Sequence, residues 1–84
     1  TDSLTGVFNR RGFVARAEAA LTEGEAALVL LDIDRFKAIN DNHGHEAGDR
    51  ALIAVASTLT VALPRGGCAG RLGGEEFGIL MPGV

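Results

Sequence analysis

Apolar residues recur at helical spacing in two parts of this chain, and each part has one apolar face. The first part covers residues 9–23, and the second starts around 46–49 and is closed by Pro64. Between them the pattern over residues 35–40 predicts a short helix that breaks at 42–44, where Asn and Gly tolerate positive φ. The positions predicted to be buried are Phe13, Val14, Ala17 and Leu21 in the first helix and Leu52, Val55, Ala56, Leu59 and Leu63 in the last.

The other apolar stretches predict strands. Residues 26–34, AALVLLDID, are apolar without alternation until the acids, as expected of a strand covered on both faces. Residues 68–72 and 77–81 are strand candidates, and the Gly-Gly-Glu-Glu stretch at 73–76 joins them as a hairpin. The order helix, strand, helix, helix, strand, strand predicts the α/β or α+β class, with helices packed on a central antiparallel or mixed sheet.

We expect residues 1–84 to be a single, partial domain. A chain of 84 residues is long enough for only one small core. It stops directly after the hairpin and offers no further strand or helix for the far edge of the sheet. An uncovered edge can pair with another chain, so we expect the whole fold to extend beyond these residues.

The composition and net charge of the chain argue against some classes of binding partner. Hydrophobic residues make up 46% of the chain and charged residues 23%, as in ordinary soluble domains. The net charge of -3 argues against a nucleic-acid or anionic-membrane surface, since such surfaces work through Lys and Arg. The single cysteine, Cys68, fits a reducing cytosol, and the longest apolar run is too short to cross a bilayer. We therefore expect a cytoplasmic domain without direct membrane contact, although other domains of a parent protein could anchor it.

Two aspartates close the apolar strand, and strand ends are where ligands of open α/β sheets collect. Asp32 and Asp34 are hard oxygen donors of the kind that Mg²⁺ takes together with substrate phosphates. For Asp34 we favour the alternative, that it caps the following helix. For Asp32 we favour metal binding, because a side chain two positions earlier cannot serve the same cap.

The Gly-Gly bend carries two more acids, Glu75 and Glu76. If the hairpin pairs with the strand at 26–33, the bend brings an acid beside Asp32, and such a cluster repels itself unless a cation lies in it. The alternative is an ordinary polar turn in solvent. This stretch alone does not distinguish the two hypotheses.

Polar residues after the strand suit a nucleotide bound without a P-loop. Lys37 follows Phe36 at the start of the short helix, whose unpaired N–H groups favour phosphate. Because no G-x-x-x-x-G-K run exists, a triphosphate would rely on these groups and on divalent ions. Asn40 and Asp49 together suit the edge of a guanine, since Asn both donates and accepts and a carboxylate accepts two N–H bonds. A helix C-cap for Asn40 and a first-turn acid for Asp49 explain these residues equally well.

Other reactive or charged side chains are expected to be structural. His43 and His45 lack the i, i+4 spacing of a helical metal pair, so we predict that they belong to a loop. Cys68 lies in a predicted strand and is expected to be a small buried hydrophobe rather than a nucleophile. Arg10 and Arg11 are most simply a solvated helix face.

Three sequence blocks span the chain almost end to end, in the order DSLTGVFNRRGF, DIDRFKAINDNHGHEAGD and RLGGEEF. In this order they resemble the GGDEF family of diguanylate cyclases, with the signature in its accepted GGEEF form. The resemblance implies a nucleotide-cyclase-like fold and the condensation of two GTP into cyclic di-GMP, a bacterial signalling molecule. It also implies Mg²⁺ or Mn²⁺, a second GGDEF domain facing the first in a homodimer, and a sensor or receiver domain upstream in the parent protein.

The resemblance also implies a role for particular residues. Asp32, Glu76 and the backbone carbonyl of Ile33 match the metal ligands, and Glu75 matches the residue that helps to deprotonate the ribose 3′-hydroxyl. The remaining matches are Asn40 and Asp49 for guanine, Phe36 and Lys37 for phosphate, and Asp2 paired with Arg71 as a structural contact.

Two departures from the family pattern affect the expected activity. Many members carry an inhibitory product site, R-x-x-D, shortly before the Gly-Gly pair, but here Pro64 and Gly67 stand at those places. Arg65 is followed three residues later by Cys68, so we predict no product inhibition through that site. The resemblance covers roughly the first half of a family domain, and we therefore expect the 84 residues alone to turn over little or no GTP.

A second class of function stays open, a GTP- or cyclic-di-GMP-binding module that signals without turnover. Degenerate family members usually lose the signature acids. Because Asp32, Glu75 and Glu76 all remain, we favour the enzyme.

Overall fold

The computed structural model describes residues 1–83, which form three helices and one three-stranded antiparallel sheet. In chain order the elements are α1 (Arg10–Glu23), β1 (Ala26–Asp32), α2 (Phe36–His43), α3 (His45–Ala62), β2 (Cys68–Arg71) and β3 (Glu76–Pro82). The strands lie in the order β1-β3-β2, so the hairpin strand β3 is central. The predicted class, helices packed on an antiparallel sheet, is confirmed. Within residues 1–83 no helix has both the length and the apolar character needed to cross a membrane.

Local sequence features set the helix ends. The Asn9 side chain accepts a hydrogen bond of 2.8 Å from the Gly12 N–H and caps α1, and Gly24 follows its last residue. Helix α2 runs to His43, three residues beyond the predicted end at 40, because Gly44 is the one residue of 42–44 that adopts a positive φ, of 86°. The predicted break at 42–44 is thus confined to one glycine.

The sheet has a core on each face. On one face Leu52 and Ala56 of α3 pack with Phe77 of β3. On the other face Phe13 of α1 packs with Cys68 and Leu80. Both helices thus bury at least part of their predicted apolar face, with Val55, Leu59 and Leu63 of the α3 segment partly buried.

The expectation that the strand at 26–34 is covered on both faces is wrong for the described residues. Leu28 is 54% exposed and Leu30 66%, and Val29 and Leu31 on the opposite face are each 38% exposed. The reason is topological, since β1 lies at the edge of the sheet while α1 packs on β2 and β3. Val14 and Leu21 of α1 are exposed for the same reason, as they lie beside the uncovered face of β1.

Candidate functional site

The last residue of β1 lies opposite the first residue of β3. Asp32 is paired with Glu76, and the next residue, Ile33, donates its N–H to the Glu75 carbonyl at 3.1 Å. Because the Ile33–Glu75 pair carries the hydrogen bond, Asp32 and Glu76 form a non-hydrogen-bonded pair, whose Cα atoms lie about 4.5 Å apart with both side chains on one face. Both residues are exposed. The pairing therefore places two acidic residues side by side on one face of the sheet, where a cation could be shared between them.

An open cleft of about 370 Å³ adjoins this end of β1. It is lined by Asp32, Ile33, Asp34, Arg35, Phe36 and Glu75. Glu76 is not part of this lining, so the two glutamates approach Asp32 differently, one across the cleft and one across the sheet. The backbone of Ile33 lines the same cleft, directly after Asp32.

Helix α2 begins at the wall of the cleft without a side-chain cap. Its N-cap residue is Arg35, in a left-handed conformation with φ 58°, and no side-chain hydrogen bond caps the helix. The prediction that Asp34 caps this helix is therefore wrong, because the left-handed Arg35 separates Asp34 from the N-cap position. Phe36 is the first residue of α2, and the exposed Lys37 follows it. The unpaired N–H groups of this first turn, with Lys37, are a favourable place for an anion.

Arg71 fixes the bend that carries the glutamates. Its Nε donates to the Gly73 carbonyl at 3.3 Å and its Nη2 to the Gly74 carbonyl at 2.9 Å. Its Nη1 lies 3.3 Å from Oδ1 of Asp2, so one guanidinium ties the bend to the start of the chain. At Gly73 a Cβ would approach Oε1 of Glu76 to 2.7 Å, so the missing side chain makes room for that carboxylate.

Arg10 also holds the bend, although the sequence pattern assigned it to a solvated face. Its Nη1 donates to the Leu72 carbonyl at 3.1 Å, while Arg11 is exposed as predicted. No short-range pattern reveals this contact, because the donor and acceptor lie on α1 and on the hairpin. The hairpin loop is therefore held by two arginines from different parts of the chain.

Asn40 and Asp49 lie on neighbouring helices. Asn40 is inside α2 and not at its C-cap, which is Gly44, so the C-cap alternative is wrong. The Asn40 side chain lies against the backbone of Gly48, and Asp49 comes next in α3, beyond its first turn. Among the side-chain hydrogen bonds of residues 1–83, none involves Asn40 or Asp49. Their polar groups are therefore available to a ligand.

A family comparison agrees with this arrangement. The family model described as "Diguanylate cyclase, GGDEF domain" matches residues 1–84. The chain belongs to the GGDEF family. Among solved structures, the GGDEF domain of DgcB from Caulobacter crescentus in complex with c-di-GMP is similar, with a TM-score of 0.93 and 39% sequence identity. The comparison covers 98% of this chain and 51% of the DgcB chain.

Two curated relatives are longer than this chain. Diguanylate cyclase VdcA from Vibrio cholerae is 44% identical over 82 residues, which are 96% of this chain and 24% of VdcA. An uncharacterized 19.3 kDa protein from Streptomyces ambofaciens is 53% identical over 77 residues, 90% of this chain and 42% of that protein. The chain thus spans less than half the length of these two relatives.

The remaining candidate residues of this GGDEF chain are structural or solvent-facing. Cys68 is buried, as predicted. The loop predicted for His43 and His45 is wrong, since they are the last residue of α2 and the first of α3, on either side of Gly44. Both are exposed. Within the described part of the chain, no three His, Cys, Asp or Glu side chains converge on one point.

The pKa of Asp2, in the DSLT turn of the GGDEF chain, lies below its usual value. Burial raises the pKa of Asp2, but hydrogen bonds from the Thr5 hydroxyl and N–H and the charge of Arg71 outweigh it and hold the pKa below its usual value. The Thr5 hydroxyl donates at 2.6 Å and the Thr5 N–H at 3.0 Å to the same oxygen, Oδ2. Asp2 is therefore held as a carboxylate facing Arg71.

Proposed function

We propose that residues 1–84 carry the metal- and guanine-binding part of a diguanylate cyclase domain, which condenses two GTP into cyclic di-GMP. One observation carries this proposal: the β1–β3 register sets Asp32 opposite Glu76 beside a cleft that the start of α2 also lines. Membership of the GGDEF family supports the same reaction.

The donor set at the cleft fits Mg²⁺ or Mn²⁺. Asp32 and Glu76 offer carboxylate oxygens and Ile33 offers its backbone carbonyl, all hard donors. Mg²⁺ commonly uses one or two carboxylates and takes its other ligands from water and substrate phosphates, so three converging acids are not required. These three residues would hold the ion, and the bound ion would neutralise charge on the triphosphate.

The other residues position one GTP. Asn40 and Asp49 bind the guanine edge, while the N–H groups at Phe36 and the ammonium of Lys37 hold phosphate oxygens. Glu75 lines the cleft and accepts the proton of the ribose 3′-hydroxyl. The 3′-oxygen then forms a bond to the α-phosphorus of the second GTP, the bond from that phosphorus to the bridging oxygen breaks, and pyrophosphate leaves.

A second GGDEF domain is the proposed partner. Each domain holds one GTP, and ring closure needs two attacks, each by the 3′-oxygen of one nucleotide on the other nucleotide. Facing domains align both attacks at once, so positioning supplies much of the rate. A sensor or receiver domain in the parent protein would control how the two copies meet.

The test uses the full-length gene product with GTP and Mg²⁺. Cyclic di-GMP and pyrophosphate are expected products, separated chromatographically and identified by mass. The Asp32→Asn variant keeps the size of the side chain and should lose turnover through lost metal binding. GTP binding by the wild-type protein without any cyclic di-GMP would instead support a binding module that signals without turnover.

A further inference from the structure

Helices α2 and α3 pack closely at Gly48. The glycine is buried in the first part of α3, and the Asn40 side chain occupies the space beside its Cα. A Cβ built on Gly48 would overlap Oδ1 of Asn40, would lie 2.9 Å from its Cγ and would come within 3.3 Å of the Phe36 ring. Phe36 and Asn40, one turn apart on α2, therefore both pack against Gly48.

The glycine is needed for space and not for backbone conformation. Gly48 lies within α3 and has no positive φ, so an alanine could adopt the same backbone. Glycine is among the least favourable residues in a helix interior, and its presence there calls for a packing reason. The overlap with Asn40 supplies that reason.

We infer that Gly48 is a specificity-determining positioning residue, which sets the Asn40 amide beside Asp49 for recognition of the guanine base. This inference rests on the proposed function. Asp49 follows Gly48 directly in α3, so the residue that makes room for the Asn40 side chain is the chain neighbour of the carboxylate proposed to share the base. A methyl group at 48 would overlap the amide and displace it, whereas it would only approach the Phe36 ring, to 3.3 Å.

The experiment measures binding of GTP and of ATP to the full-length gene product by titration calorimetry, and the KM and kcat of turnover. Gly48→Ala is expected to reduce the preference for GTP over ATP at least tenfold, raising KM for GTP while kcat at saturation changes less than threefold. Asn40→Ala should reduce the preference similarly. In the Asn40→Ala background, Gly48→Ala should have less than a twofold further effect, because the displaced amide is already absent.

Gly24→Ala is the matched control. A Cβ at Gly24 meets nothing within 4 Å, and its φ of 164° is ordinary extended backbone. This variant should bind GTP and ATP as the wild type does. The inference is overturned if Gly48→Ala leaves the preference for GTP over ATP unchanged. It is also overturned if Gly48→Ala reduces that preference equally in the wild-type and the Asn40→Ala backgrounds.

Thermal unfolding keeps the test decisive if Gly48→Ala folds poorly. The double variant Asn40→Ala/Gly48→Ala removes the overlapping side chain and should recover most of the lost melting temperature. A double variant as unstable as Gly48→Ala would contradict the contact. A wild-type protein with no preference for GTP over ATP would refute the proposed function instead. The melting temperatures of the single and double variants would then show by themselves whether Gly48 positions Asn40.

Discussion

At the scale of single residues, the two adjacent glutamates of the bend occupy different places around Asp32. Glu76 is its partner across the sheet, whereas Glu75 lines the cleft. Glu75 lies in the bend and Glu76 is the first residue of β3, so we propose different tasks for the two acids. The roles proposed for them, metal ligand for Glu76 and proton acceptor for Glu75, are separable by experiment.

Glu76→Gln should raise the Mg²⁺ concentration needed for half-maximal turnover, and Glu75→Gln should not. A lost general base lowers kcat by roughly 10²- to 10⁴-fold, and we expect that loss at every Mg²⁺ concentration for Glu75→Gln. Turnover of the full-length gene product, titrated with Mg²⁺, distinguishes the two. A shifted Mg²⁺ dependence in Glu75→Gln alone would reverse the assignment.

The lowered pKa of Asp2 predicts a loss of stability in acid. Since the folded pKa lies below the unfolded value of about 3.9, the contribution of Asp2 is complete above that pH and is lost as pH falls through the folded pKa. Asp2→Asn should lower the free energy of unfolding by about 1 kcal/mol at neutral pH, the typical worth of a hydrogen bond. Urea unfolding should also show a smaller difference between the two proteins below pH 3 than at pH 7.

At the scale of elements, the Phe13 ring of α1 packs over two glycines of the sheet. A Cβ at Gly70 would lie 2.5 Å from Cβ of Phe13, and a Cβ at Gly78 would lie 2.8 Å from the far end of the ring. The first contact involves atoms fixed to the helix backbone, while a ring edge can tilt. The bare surface of β2 and β3 thus sets how closely α1 approaches.

Gly70→Ala should therefore destabilise the fold more than Gly78→Ala. Overpacking of this kind costs about 1–3 kcal/mol, and we expect Gly70→Ala in the upper part of that range. Chemical unfolding of the full-length gene product measures the free energy of unfolding of both variants. Gly24→Ala is the control, because a Cβ at Gly24 meets nothing within 4 Å. If the two variants lose the same free energy of unfolding, then the whole helix α1 moves to relieve the overlap, and Gly70 does not fix its position.

At the scale of the whole molecule, β1 is an edge strand with no buried residue among the described residues. Four consecutive apolar side chains are exposed along it, and its outer edge has no strand partner within residues 1–83. Since Asp32 ends this strand, the position of the proposed metal ligand depends on how well β1 is held. That residues 1–84 are a partial domain stays a prediction.

We expect the isolated 84-residue chain to turn over GTP at least about 100-fold more slowly than the full-length gene product, because small misplacements of a reacting group cost this much. The exposed edge should also make the isolated chain self-associate. Product formation and light scattering at matched concentration test both statements. Comparable turnover by the isolated chain would contradict the first.

Product inhibition through an R-x-x-D site should be absent. The segment between α3 and β2 is a tight turn in which the Gly67 N–H donates to the Pro64 carbonyl at 2.9 Å, and Arg65 is its only charged residue. Cyclic di-GMP added to the full-length gene product should leave the initial rate unchanged. A complex of micromolar or better affinity that Arg65→Ala abolishes would show the prediction to be wrong.

Local patterns were enough to predict most elements of this chain. Helix α3 and the hairpin follow from apolar spacing and from turn residues that act within a few positions, and the prediction of buried Cys68 followed from its place in a strand. The end of α2 was missed by three residues because several Asn and Asp residues suggested a break that Gly44 alone makes. Such features depend on neighbours in the chain, which a sequence displays directly.

The sequence by itself thus determined the element types, the family and the identity of the acids at the strand end and the bend. Only the tertiary structure decided that Asp32 faces Glu76, that Arg71 holds the bend, and that Asn40 rests on Gly48. These contacts join residues on separate elements, and their geometry follows from strand register and helix packing, which no local periodicity encodes. The exposure of β1 was also decided only by the tertiary structure, because the burial of a strand depends on what packs against it and not on its own apolar residues.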